Sequence, residues 1–165
     1  MAPTFDEPHD CLPLIPEMIL ERHSCHEPHD TRFRSAARLL QAIWREDRGL
    51  PMGSYAREDG KRRKLGSMIT PGAGNAGANL LTPEIAYAVR REVAYREIGA
   101  MIEEERLFCN LLSSMPLCFN TFVPLKRNLV RATSFLHEAI PGFAGTVTQV
   151  LFEHSPGRGN PKFTG

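Results

Sequence analysis

The segment Thr146-Val-Thr-Gln-Val-Leu-Phe-Glu-His154 decides how the fold is read. It is short and β-prone, and Gly145 and Pro156 bound it, which predicts a strand. A lone strand cannot satisfy its own ladder hydrogen bonds, and even a two-stranded hairpin is marginal by itself. No upstream segment offers a second strand of comparable quality. The strand must therefore pair with a partner, lie as an extended edge against helices, or belong to a sheet whose remainder is missing. The last of these is the expectation.

Working outward, the preceding chain is helical. Leu125, Leu129, Ala132, Thr133, Leu136 and Ile140 recur at helical spacing, predicting a helix from about Leu125 to Ala139 that Pro141 and Gly142 stop. Lys126, Arg127 and Arg131 give it a basic edge. Thr82 followed by Pro83 reads as an N-cap and first turn, opening a helix that carries Ile85, Val89 and Val93 inward. Glu103, Glu104 and Glu105 suit the positive end of a third helix, and Pro116 and Pro124 each restart the chain. Asp30 or Thr31 caps a helix running to about Glu46. Its stripe is Phe33, Ala36, Ala37, Leu40, Ile43 and Trp44, with Arg34, Arg38 and Arg45 off it. Asn110, Ser113, Ser114 and Asn120 interrupt an apolar run and are expected as caps or buried hydrogen-bonding groups.

Two stretches lack such periodicity. Residues 1–30 contain five prolines, so an acidic, Pro- and His-rich flexible arm is expected, with one helical turn near Glu17–Arg22. Residues 49–81 read as a long basic and Gly-rich loop, of a length that tends to be functional or disordered. The net charge of +1 is a cancellation. Residues 1–30 hold one basic and seven acidic side chains, whereas residues 31–66 hold ten basic and four acidic. An acidic arm beside a basic segment invites the hypothesis that the arm competes with nucleic acid.

Composition sets the outer limits. With 42% hydrophobic and 24% charged residues, a wholly disordered or fibrous chain is excluded. The acidic N-terminus has no signal-peptide pattern. Four cysteines are few for a disulfide scaffold, so reduced thiols in a cytoplasmic protein are expected. Leu107 to Leu125 carries no charge, but its two prolines and two asparagines suit buried helices rather than lipid.

Three segments together resemble a known family. They are Leu81-Thr-Pro-Glu-Ile-Ala86, then Glu104 through Phe122, then Phe152-Glu-His-Ser-Pro-Gly-Arg-Gly-Asn-Pro161. In these the chain resembles the PD-(D/E)XK nuclease-like proteins over about residues 31–165. The resemblance implies an α+β chain, mainly helical with one C-terminal strand, like the N-terminal half of a restriction-endonuclease-like α/β core. It implies Mg²⁺-dependent phosphodiester hydrolysis for an intact member, with an Asp and a Glu-X-Lys holding the metal. After Phe152 the sequence has neither. The expectation is therefore an incomplete domain over 31–165, truncated before its catalytic set, inactive alone and with no cofactor of its own.

Within that frame Glu104, Glu105, Glu153 and His154 are the candidate catalytic or metal-binding groups, each with a plain reading as a solvated helix start or strand end. Lys61, Arg62, Arg63 and Lys64, with Arg158 and Lys162, are candidate phosphate contacts. DNA is the expected partner. Residues 146–154 are expected to drive self-association or to join a partner strand, and no membrane is expected. The competing reading is a small helical interaction or nucleic-acid-binding protein whose lone strand joins a partner's sheet. Gly72, Gly74 and Gly77 spell G-x-G-x-x-G without a preceding strand, so no dinucleotide site is read. His9, Cys11, His23, Cys25, His26 and His29 could supply zinc ligands but lack a C-x-x-C pair.

Overall fold

The computed structural model describes residues 12–56, 60–97 and 99–154. The elements, in order, are α1 (Glu17–Arg22), α2 (Arg32–Asp47), β1 (Met52–Ala56), β2 (Arg62–Ile69), α3 (Pro71–Asn75), α4 (Pro83–Ala94), α5 (Glu104–Cys109), α6 (Ser114–Arg127) and α7 (Leu129–Ala139). The class is α+β. Internal packing divides the chain into two units: Met1–Gly74 with Cys109–Leu112, and Asn75–Phe108 with Ser113–Gly165.

The first unit corrects the placement of the sheet. Its strands lie in the segment read as a loop, where β1 and β2 form an antiparallel hairpin pairing Met52 with Ile69, Tyr55 with Arg63 and Ala56 with Arg62. The register shifts between Met52 and Ser54, and there the chain passes so close to Ile69 that a Cβ on Gly53 would overlap its carbonyl. Only glycine permits that bulge. Arg62, Arg63 and Lys64 hid the strand by putting charges where alternation is sought. The buried run Leu65, Gly66, Ser67, Met68 and Ile69 is its core half.

Helix α2 packs on β2, and here the sequence reading is wrong about the face. Thr31 caps it, accepting from the Arg34 N–H. The buried positions are Arg38, Ala42 and Arg45, while Phe33 and Leu40 stand 68% and 66% exposed. The cause is the polarity of β2. Ser67 Oγ and the Gly66 carbonyl point at the helix and need donors, which Arg38 and Arg45 supply. Their aliphatic stems pack while the guanidiniums bond.

The described part of the expected flexible arm is built into this unit. Turn α1 forms where expected. Leu20 and Cys25 bury against Ala42, with Ile15 and Leu39 beside them. The Ser24 carbonyl accepts from the Gly66 N–H at 2.7 Å. A Cβ on Gly66 would overlap the His23 carbonyl, so that position admits no side chain. Residues 1–11 lie outside the described residues.

The second unit is helical. Thr82 accepts from the Ile85 N–H, and Pro83 occupies the first turn of α4, as expected. Ile85, Ala86 and Val89 are its buried face. Helix α6 begins at the Ser113 cap. It runs through Pro124 rather than breaking there, and the restart falls at Asn128, whose side chain accepts from the Arg131 N–H. Pro124 sits near the end of α6, where its missing N–H costs one ladder bond. Asn128 supplies the cap that begins α7. Asn120 ties α6 to the chain before α4, donating to the Asn79 carbonyl and accepting from the Leu81 N–H, both at 3.0 Å. Asn110, Ser113 and Asn120 thus serve as the caps and bonding groups expected of them.

The strand expected over Thr146–His154 is not formed; the segment is irregular. It is held by side chains instead. The Val147 N–H donates to Thr133 Oγ1 at 3.0 Å, His137 Nε2 bonds the Gly145 carbonyl at 2.8 Å, and Phe152 stacks on Phe119 with centroids 4.4 Å apart. These contacts anchor a β-prone segment without a neighbouring strand.

Candidate nucleic-acid interface

The expected basic patch lies on and beside β2. Arg62 is exposed, and its guanidinium bonds Ser54 through Nε to Oγ at 3.0 Å and through NH2 to the carbonyl at 2.6 Å. Arg63 is structural. It donates to the His26 carbonyl at 2.8 Å and pairs with Glu27 at 2.9 Å, pinning the 23–27 loop to the sheet. Lys61 and Lys64 are exposed. Lys61, Arg62 and Lys64 are the exposed members of the patch, while Arg63 is half-buried. Arg158 and Lys162 lie outside the described residues.

The candidate acids are dispersed. Glu104 pairs with Arg96 at 3.2 Å, Glu105 is half-buried, and Glu153 is exposed with a left-handed backbone (φ 50°). His154 bonds Glu97 at 2.9 Å. Among the described residues no three of these bring ligand atoms together. They do not fit a Mg²⁺ centre, which needs several oxygens converging in near-octahedral geometry. Asp59-Gly60-Lys61 spells acid-X-Lys at the β1–β2 connection, a pattern the sequence reading passed over. It falls between strands, with Gly60 at φ +77°, and Asp59 lies outside the described residues.

Among the described His and Cys residues of the arm, Cys25 is packed in the core and His23 and His26 lie against carboxylates. Burial pushes the Cys25 thiol up to about 11, which keeps it protonated. His23 Nδ1 lies 2.7 Å from Glu46, and His26 pairs with Glu17 at 3.3 Å. Glu17, Glu21 and His26 are the one three-residue group of potential metal ligands among the described residues. His9 and Cys11 lie outside them.

Two arrangements escaped the sequence reading. One is the buried polar system of the first unit. Arg38 grips Asp30 through Nε (2.7 Å) and NH2 (3.2 Å) and reaches Ser67 Oγ at 3.0 Å, while Arg45 bonds the Gly66 and Leu50 carbonyls and Glu46. The second is a groove of about 640 Å³ between α4 and α6, lined by Glu84, Tyr87, Arg91, Glu92, Lys126 and Arg127 among others. The 84, 87, 91 spacing along α4 was the available signal.

The model of the PD-(D/E)XK nuclease superfamily matches residues 28–165, and the chain belongs to that superfamily. No curated protein and no solved structure matches it.

Proposed function

We propose that this chain is a nucleic-acid-binding member of the superfamily, corresponding over residues 31–165 to the helical part of a restriction-endonuclease-like core, and that it does not hydrolyse phosphodiesters by itself. The superfamily match over residues 28–165 carries the nucleic-acid reading. Among the described residues, the dispersal of Glu104, Glu105, Glu153 and His154 supports inactivity. In an intact member, carboxylates hold Mg²⁺, which polarises the phosphate and activates water. Here Lys61, Arg62 and Lys64 would neutralise backbone phosphates, giving salt-dependent affinity.

The test pairs binding with cleavage. Labelled single-stranded and duplex DNA and RNA are titrated by anisotropy at low and raised salt, then incubated with Mg²⁺ or Mn²⁺ and resolved on a gel. Salt-sensitive binding without cleavage is expected. Absence of binding to every nucleic acid overturns the first half of the reading. Metal-dependent cleavage that survives purification and is lost in Glu104→Gln/Glu105→Gln overturns the second.

A further inference from the structure

Within the second unit, one face of α4 and the last turn of α6 enclose the groove of about 640 Å³. Its size lies in the range of small-ligand sites. Glu84, Tyr87, Ala88 and Arg91 stand at i, i+3, i+4 and i+7 on α4, so they form one stripe. Val123, Lys126 and Arg127 do the same from α6.

The charges of the groove are not equivalent. Lys126 is spent on Glu92 at 2.6 Å. Glu84 is held ionised below the usual carboxylate range, first by the Thr82 hydroxyl and its own backbone N–H, with a smaller contribution from Arg127. The Arg91 guanidinium makes no hydrogen bond or ion pair among the described residues. Tyr87, 64% exposed, stands between Glu84 and Arg91 along the same α4 stripe.

Each of these groups has a counterpart in one kind of ligand. Guanidiniums suit phosphate oxygens, which they bind in forks. An exposed aromatic ring suits the face of a nucleobase. A carboxylate accepts from the amino edge of a base. In a duplex the base faces are covered by their neighbours, so Tyr87 can stack only on an unpaired base. We propose that the α4–α6 groove binds unpaired nucleotides of single-stranded nucleic acid, with Tyr87 as the stacking platform and Arg91 and Arg127 on the phosphates. The proposal rests on the nucleic-acid reading above and adds a site that the basic hairpin does not contain.

The test titrates the full chain with a labelled single strand of about 12 nucleotides, within the site sizes of single-strand binders, and with the corresponding duplex. Unlabelled nucleoside monophosphate and inorganic phosphate serve as competitors. The variants are Tyr87→Ala, Tyr87→Phe, Arg91→Ala/Arg127→Ala and, for comparison, Lys61→Ala/Lys64→Ala. All alter exposed or half-buried side chains, and unchanged melting temperatures verify their folds. Tyr87→Ala is expected to weaken single-strand binding about tenfold or more while leaving duplex binding unchanged, and Tyr87→Phe to restore it. The double arginine variant should weaken binding and flatten the salt dependence by roughly one to two in log–log slope. Competition by the monophosphate but not by inorganic phosphate supports a site that reads base and phosphate together. Equal competition by both reduces it to an anion site and overturns the proposal. Strand binding that ignores Tyr87, Arg91 and Arg127 but falls with Lys61→Ala/Lys64→Ala overturns the groove and leaves the nucleic-acid reading standing. Absence of any nucleic-acid binding by the unmodified chain overturns both.

Discussion

Replacing Arg38 by Met tests how the first unit is held together. Arg38 and Asp30 are 7% and 6% exposed at their side chains, and two short bonds join them. The third arm of the guanidinium reaches Ser67 Oγ, on a residue that is fully buried. Arg38→Met keeps the stem and removes the charge. It leaves a buried carboxylate with one remaining ion-pair partner among the described residues, Arg34 at 3.1 Å, itself 63% exposed. Removing one member of a buried pair costs about 3–5 kcal/mol, and a stranded buried hydroxyl costs about 1–3 kcal/mol. Arg34 and a rotation of the Ser67 hydroxyl recover part of this. A loss of about 3 kcal/mol is expected, a large fraction of the 5–15 kcal/mol of a typical domain. Urea unfolding followed by circular dichroism measures it. A cycle with Asp30→Asn isolates the pair, and its coupling should reach about 1.5 kcal/mol or more. A loss below about 1 kcal/mol with negligible coupling would refute the claim that the arginine face of α2, rather than its apolar stripe, is the packing face.

Other consequences are independent of that network. Gly66→Ala must push its Cβ into the His23 carbonyl and against Ala42 Cβ at 2.9 Å, so the 23–25 loop should detach from β2. Limited proteolysis should then cut near Ser24, and uncut protein would count against the close approach. Iodoacetamide at neutral pH should label exposed Cys118 before buried Cys25 and Cys109, with mass spectrometry of peptides as readout. Because burial raises the Cys25 thiol from 9.0 to about 11, the folded chain keeps that proton longer than the unfolded one. Its contribution to stability is therefore intact below about pH 9 and declines as pH rises toward 11, a decline that Cys25→Ala should lessen in alkaline melts. Asn120→Ala loses both bonds that tie α6 to residues 79–81 and should cost about 1–2 kcal/mol by thermal unfolding.

Local signals fixed much of the helical part. Thr31, Thr82 and Ser113 cap the helices because a hydroxyl oxygen before a helix finds an N–H within the next few residues whatever the rest of the chain does. Pro83 and the glutamates opening α5 obey the same local logic. The polar interruptions at Asn110, Ser113 and Asn120 were legible as bonding groups because a polar atom in an apolar run must be satisfied. The basic hairpin residues were legible as charges, though not as strand.

What only the tertiary structure decided is which surfaces meet. The amphipathic stripe of α2 is plain in the sequence, yet β2 offers a hydroxyl and a carbonyl, so Arg38 and Arg45 turn inward and Phe33 and Leu40 outward. The hairpin could not be read because its bulge depends on Gly53 meeting the Ile69 backbone, sixteen residues away. The β-propensity of Val147 to Phe152 was real, but a strand needs a neighbour, and Thr133 and Phe119 hold that segment instead. The groove of Tyr87, Arg91 and Arg127 exists because two helices separated in sequence lie side by side. Caps and turns are decided by neighbours along the chain; faces, pairings and sites are decided by neighbours in space.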